Sequence, residues 1–292
     1  MKSLLLNTIY LTVTAVVLCA CHKKDLTNNV RNLNNNTISI FGHGGMGIAF
    51  KYPINSYESF EPCLRIGADG TEIDVQMTKD SLLILFHDQK LKDGTLCSGI
   101  VSEKNWSEIK ECLHACPYSN SVNMIPVSYL FDRIALNKAT ITFDCKLYEA
   151  ENNDHQQFLK TYASALVRLT EKYGISEKVF VESSDTNFLR LLKNRIPNMK
   201  LFINCSNFEN AISIATNMQL YGITTDNDKI TATQVKTAHK CNKHVTVWNV
   251  KSEHANIDAV RKNVDHIQSD KIIPLLKLFG KYKEQGTKNL RW

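Results

Sequence analysis

Residues 71–88 read TEIDVQMTKDSLLILFHD. Two β-rich runs, TEIDVQ and LLILFHD, are separated only by MTKDS, which is too short for a helical crossover of a dozen or more residues. The second run must turn back along the first, and a turn centred on Lys79 and Asp80 would set Glu72 opposite His87. Outward from this pair the pattern changes. Short runs rich in β-branched and aromatic residues recur at 38–42, 140–146, 178–183, 200–205, 222–226, 245–250 and 266–270, and stretches of helical period lie between most of them. The clearest helix spans 154–173, where Phe158, Tyr162, Ala165, Leu166 and Leu169 lie opposite Lys160, Arg168 and Lys172. Others fit 103–113, 185–195, 208–219 and 231–241. Strands that alternate with helices form a parallel sheet covered by helices. About eight such units in roughly 240 residues match a closed TIM-like (β/α)₈ barrel. The expectation is an α/β chain with one barrel domain over 38–292; an open doubly wound sheet is the structural alternative.

The 292 residues are 43% hydrophobic and 22% charged, which excludes a disordered chain or a fibre. Lys and Arg number 35 against 29 Asp and Glu, a net charge of +6. These cations are spread along the chain rather than blocked, so nothing points to nucleic acid, and no obligate protein partner is indicated. Residues 1–20, MKSLLLNTIYLTVTAVVLCA, join one lysine to an apolar run that ends in small residues, the form of an export signal. Leu18-Cys19-Ala20-Cys21 resembles the bacterial lipobox, which implies cleavage before Cys21 and lipidation there. The expected location is the bacterial envelope, with the chain anchored to a membrane by lipid. Residues 21–37 are rich in asparagine and poor in apolar side chains, and are expected to form a flexible tether. Nine cysteines occur; Cys112 and Cys116 lack the second ligand pair that a zinc site needs, so no zinc is expected.

Several residues carry chemistry. FGHGGMG, residues 41–47, satisfies a dinucleotide fingerprint formally, but AFKYPIN follows where a helix should start. The surviving reading is His43 at the C-terminal end of the first strand, beside small residues that admit a ligand. Glu72 and Asp74 are two apart on a strand and share a face. Their repulsion would push one to protonate unless a cation intervenes. His43, His87-Asp88 and Asp144-x-Lys146 fall at strand ends too, hence on one rim of a barrel. Such oxygen donors favour Mg²⁺ or Ca²⁺.

His43-Gly44-Gly45, Pro53-x-Asn55-Ser56, GADGTEIDVQMTKD (67–80), His87-Asp88 and Asp144-x-Lys146 together resemble the glycerophosphodiester phosphodiesterases. Trp248 and Ile267-Gln268-Ser269-Asp270 agree with features late in that family. The resemblance implies a hydrolase that cleaves a small glycerophosphodiester to glycerol 3-phosphate and an alcohol. It assigns the divalent ion to Glu72, Asp74 and Asp144, and general acid and base roles to His43 and His87. Lys146, Asn55, Gly44 and Trp248 fall at substrate-binding positions. Three positions depart from the family pattern: Gly44 stands for an arginine, Ile54 for a glutamate and Asp144 for a glutamate, with Lys51 or Lys146 available to replace the lost cation. The rival readings are a phospholipase C or D acting on intact lipid, and a surface binding lipoprotein that keeps the barrel without turnover.

Overall fold

The computed structural model describes residues 26–48, 51–116, 122–150 and 154–284. Among the described residues nine strands form: β1 Ser39–Gly42, β2 Gly70–Met77, β3 Leu83–Leu85, β4 Thr140–Cys145, β5 Phe180–Ser183, β6 Lys200–Asn204, β7 Gly222–Asp226, β8 His244–Val250 and β9 His266–Ser269. Their hydrogen-bonded order is β1-β9-β8-β7-β6-β5-β4-β2-β3, and β1 also pairs with β2. That last pairing, Phe41 to Gly70 and Gly42 to Thr71, closes eight parallel strands into a barrel. The expected closed (β/α)₈ barrel is therefore the fold, and β3 is an antiparallel addition outside the ring.

The helices are α1 Tyr57–Arg65, α2 Trp106–Ile109, α3 Val127–Phe131, α4 His155–Lys172, α5 Thr186–Arg195, α6 Phe208–Asn217, α7 Ala232–Lys240, α8 Glu253–Arg261 and α9 Ile272–Leu278. Helices α4 to α8 each start on a side chain that accepts a backbone N–H of the first turn: Asp154, Asp185, Asn207, Thr231 and Ser252. These caps satisfy donors that the first turn leaves unpaired, so the exits of β4 to β8 each lead to a defined helix start.

Strand alternation divides the molecule into two cores. The odd-numbered residues of β4, Ile141, Phe143 and Cys145, face the helices and join the main apolar cluster. The even-numbered ones face the barrel axis with Glu72, Asp74, Glu182, Thr224 and Gln268, all buried. Apolar filling of the axis is confined to its lower end, where Phe41, Phe180 and Phe202 cluster around His266. Polar groups thus occupy the end where strands finish, the end at which barrels of this kind carry their sites.

Three expectations change. The β2–β3 hairpin pairs Val75 with Leu85 and Met77 with Leu83, so its centre is Asp80 and not the Lys79-Asp80 bond. Ser81 adopts φ 65° and the Thr78 N–H reaches Leu82 O, a three-residue loop that shifts the register by one and removes Glu72 from opposite His87. The helix expected over 103–113 shrinks to a single turn, because Cys112 is disulfide-bonded to Cys97 and the chain there runs through isolated bridges. Residues 26–37, expected in the tether, pack on the barrel instead. Val30 is buried, and Leu33 and Asn34 donate backbone N–H groups to Asp265 Oδ1 at 2.9 and 3.1 Å. Asparagine side chains that lack apolar surface still order the chain once a buried carboxylate and free carbonyls are within reach.

Candidate active site

Period-2 geometry turns Glu72 and Asp74 inward from β2, and the parallel ladder sets Asp144 of β4 directly beside Asp74. One oxygen from each of the three carboxylates lies within 4.8 Å of the others. Lys146 bridges two of them, with its Nζ 3.0 Å from Asp74 Oδ1 and 2.7 Å from Asp144 Oδ2. Asn55, held at φ 63°, donates from Nδ2 to Asp74 Oδ2 at 2.6 Å and accepts the Asp74 N–H at 2.9 Å. The Gly44 N–H donates to Glu72 Oε2 at 2.8 Å, while Glu72 Oε1 is buried with no partner. Burial and the charge of Asp74 raise the Glu72 pKa well above the usual carboxylate value. Burial would also raise Asp74, but Lys146, His87 and Asn55 hold it below its ordinary value.

These residues fit a hard divalent cation. Three carboxylates face one ammonium in a low-dielectric pocket, and one Glu72 oxygen is buried there without a partner. All donors are oxygens, which suits Mg²⁺ or Ca²⁺ better than a softer metal.

Two imidazoles stand at the same mouth. His43 follows β1, and its Nδ1 is 3.0 Å from Asp270 Oδ1 at the end of β9. Burial would lower the His43 pKa, but the Asp270 hydrogen bond and the charges of Glu72, Asp270 and Asp74 outweigh it and raise the value to about 9. His87 is more exposed, with Nδ1 2.9 Å from Asp88 Oδ1. Gln76 fixes its backbone, donating from Nε2 to Phe86 O at 3.0 Å and Asp88 O at 2.8 Å, on either side of the histidine. Both imidazoles line one cavity of about 460 Å³, together with Lys51, Asn55, Phe86 and His114.

The structure thus joins His43, His87, Glu72, Asp74, Asp144, Lys146, Asn55 and Gly44 in one constellation. Trp248 stands apart from that cavity, on β8 beside Asp226 of β7, with its indole N–H buried and unpartnered. Cys21 lies outside the described residues. Gly44 and Ile54 are in contact: a Cβ on Gly44 would fall 2.6 Å from the Ile54 Cβ. Sequence reading missed the roles of Asp270, Gln76, Glu182 and His114. Asp270 and Glu182 lie at strand C-termini, which was the available signal; Glu182 neighbours Asp144 across the ladder, accepts from Gln268, and is held protonated-prone by burial and by Asp144. His114 carried no signal, since it enters the cavity from the 82–126 excursion, and burial lowers its pKa to about 4.

The model of the "Glycerophosphoryl diester phosphodiesterase family" matches residues 46–273. A glycerophosphodiester phosphodiesterase of Bacillus altitudinis is 27% identical over 164 residues, 56% of this chain and 65% of that protein. Another, from Caldanaerobacter subterraneus subsp. tengcongensis, is 25% identical over 238 residues, 78% of this chain and 93% of that one. Among solved structures, an Oleispira antarctica phosphodiesterase in complex with the product sn-glycerol-3-phosphate superposes with a TM-score of 0.74 at 15% identity, covering 83% of this chain and 96% of that one. At that identity the likeness concerns the fold. Because the family model spans most of the chain and meets the site just described, the chain belongs to the glycerophosphoryl diester phosphodiesterase family.

Proposed function

We propose that the protein hydrolyses glycerophosphodiesters to glycerol 3-phosphate and an alcohol. The observation that carries this reading is the convergence of three carboxylates and one lysine, from two neighbouring strands, beside two carboxylate-backed imidazoles. The names of the Bacillus and Caldanaerobacter relatives and the product held by the Oleispira structure support the substrate class. Glu72, Asp74 and Asp144 would hold a divalent cation, which when bound neutralises charge on the phosphoryl oxygens. Lys146 helps hold Asp74 below its ordinary pKa and adds positive charge to the site; burial would lower its own pKa, but Asp74 and Asp144 raise it.

Each histidine has its Nδ1 turned to a carboxylate, which leaves Nε2 for substrate. We assign His43 as the acid, because Asp270 stabilises its imidazolium, and His87 as the base. His87 Nε2 takes a proton from the attacking water as its oxygen bonds to phosphorus; the phosphorus–oxygen bond to the alcohol breaks, and His43 Nε2 protonates the departing oxygen. With glycerophosphocholine as substrate, the full chain should lose turnover on chelation and regain it with Mg²⁺ or Ca²⁺. His43→Ala and His87→Ala should each cost at least about a hundredfold in kcat. Near-normal turnover in either variant removes that residue from the mechanism, and no turnover with any metal while ligands still bind favours a binding lipoprotein.

We also propose that the chain is exported and lipid-anchored through Cys21 to the bacterial envelope. The support is the sequence of residues 1–21. No helix among the described residues is long and apolar enough to cross a membrane. Mass spectrometry of the mature amino terminus tests this: a chain that retains residues 1–20 or carries no lipid on Cys21 refutes it.

A further inference from the structure

The docked N-terminal segment gives the barrel a direction. In a parallel barrel all strands start at one face, and here the carboxylates and imidazoles stand at the opposite one. Residues 31–34 bind the starting face: Arg31 N–H donates to Asn263 Oδ1 at 2.6 Å, Asn32 Nδ2 to Val264 O at 2.9 Å, and Leu33 and Asn34 to Asp265, all just before β9. Leu26, a helical turn upstream, still packs against the core. Cys21 is five residues further, at most about 18 Å of extended chain. A lipid on Cys21 is therefore tied close to the face where strands begin.

That face is basic. Helices α1, α4, α5, α7, α8 and α9 end there in Arg65, Lys172, Lys193 and Arg195, Lys240, Arg261 and Lys277. Cations at helix C-termini complement the helix dipole, so these alone mean little. Lys178, Lys243 and Lys283, however, lie in the connections beyond the last turns, where the dipole gives no such reason, and Lys200 opens β6 at the same level; Asp132, Glu171, Glu177 and Glu284 are among the exposed acids that share the face. The opposite end carries the acids, among them Asp154, Asp185, Glu209, Glu253 and the site carboxylates.

The starting face also holds a cavity of about 260 Å³ lined by Lys193, Lys243, Asn198, Asn242 and His244, with no carboxylate among its lining residues. Each ammonium rests on one carbonyl, Lys193 Nζ on Gln219 O and Lys243 Nζ on Leu220 O, both at 2.8 Å. Each keeps further N–H donors for a ligand. Burial and the nearby Lys193 lower the Lys243 pKa, as two cations sharing a niche without an anion should.

We propose that the face where the strands begin docks on an anionic bilayer, with headgroup phosphates seated between Lys193 and Lys243, and that the catalytic mouth points away from that membrane. The substrate class follows, and this part rests on the phosphodiesterase reading: the mouth meets diesters that arrive through water, which are deacylated, while intact lipid of the anchoring bilayer lies on the far side of the barrel.

Two native thiols report the orientation. Cys241 is exposed at the end of α7 on the proposed docking face, and Cys205 follows β6 on the mouth side. The full lipidated chain is placed on vesicles of phosphatidylcholine with or without phosphatidylglycerol and treated with a membrane-impermeant maleimide. Phosphatidylglycerol should slow labelling of Cys241 by at least roughly tenfold, the scale of one to two lysines at an anionic surface, and leave Cys205 unchanged. Lys193→Ser with Lys243→Ser should abolish that protection without altering hydrolysis of glycerophosphocholine. Protection of Cys205 instead, or equal labelling on both vesicles, overturns the proposal, as does protection without vesicles that grows with protein concentration, which would assign the face to a second copy. The labelling pattern needs no turnover, so it stands or falls separately from the activity. In the substrate arm, vesicle-bound protein should hydrolyse added glycerophosphocholine and spare the phosphatidylcholine of its own vesicle; cleavage of that lipid at a comparable rate refutes the outward mouth.

Discussion

Asp270 and His43 are 227 residues apart in sequence and 3.0 Å apart in space. The carboxylate fixes the imidazole's tautomer and stabilises its protonated form. Asp270→Asn keeps the shape and a hydrogen bond but removes the charge, so the His43 pKa should fall from its raised value of about 9 towards 6.5. The alkaline limb of the kcat/KM profile should move to lower pH by about one unit or more, since a raised histidine loses its proton earlier once its anionic partner is gone. An unmoved limb would show that His43 is not the group titrating there. At the mouth's other edge, Gly44 and Ile54 fill each other's space. An arginine at 44 alone therefore drives a side chain into Ile54 from a backbone at φ 56°.

At the scale of elements, the β2–β3 hairpin and the excursion over 82–126 carry His87 to the rim. This excursion has its own small core, Ile84, Phe86, Leu91, Val101, Ile109, Cys112 and Met124, separate from the main one. Two devices tie it down. Gln76 grips the carbonyls flanking His87, so Gln76→Leu should lower kcat at least about tenfold with little change in melting temperature, because a base displaced by an ångström loses its reach. A kcat within twofold of the parent would make Gln76 a mere packing residue. The second device is the Cys97–Cys112 bond, which closes a separation of 15 residues. Replacing both cysteines by alanine should cost about 3 kcal/mol of local stability in the chain-entropy account. Amide exchange should accelerate across 91–114 and spare β4 to β9; uniform acceleration throughout the barrel would contradict an independent subcore.

Taken whole, the molecule is polarised along the barrel axis, with charge and hydrogen-bonding groups at the mouth and aromatic packing at the start of the strands. His266 belongs to the second region: it lies between Phe41, Phe180 and Phe202 and exchanges a hydrogen bond with Thr246. Burial, aided by His244 and Lys200 against the pull of Asp265, lowers its pKa from 6.5 to about 3. A base whose folded pKa lies below its unfolded value is protonated first in the unfolded chain. Its stabilising neutral form is thus fully counted above pH 6.5 and is lost progressively as pH falls towards 3. Between pH 7 and pH 5 this one group should remove about 2 kcal/mol. His266→Gln, which does not titrate, should flatten the fall in melting temperature over that interval whatever its effect at pH 7. An unchanged slope would locate the acid sensitivity elsewhere.

What the amino-acid sequence determined by itself was local. The nine strands, their inward-facing acids and the Glu72-Asp74 spacing were legible because side chains alternate with period 2 and because caps, glycines and short polar loops mark where each element stops. The remainder depended on groups distant along the chain. Strand pairing set Asp270 against His43 and Asp144 against Asp74, and it put Lys146 between two carboxylates. A left-handed Ser81 moved the hairpin register by one residue, which no periodicity specifies. An asparagine-rich stretch became ordered because a buried Asp265, more than 200 residues away, had hydrogen-bonding capacity left for its backbone. Periodicity acts between neighbours in sequence, whereas charge compensation and hydrogen-bond satisfaction act across space, and only the closed barrel brings those partners within reach.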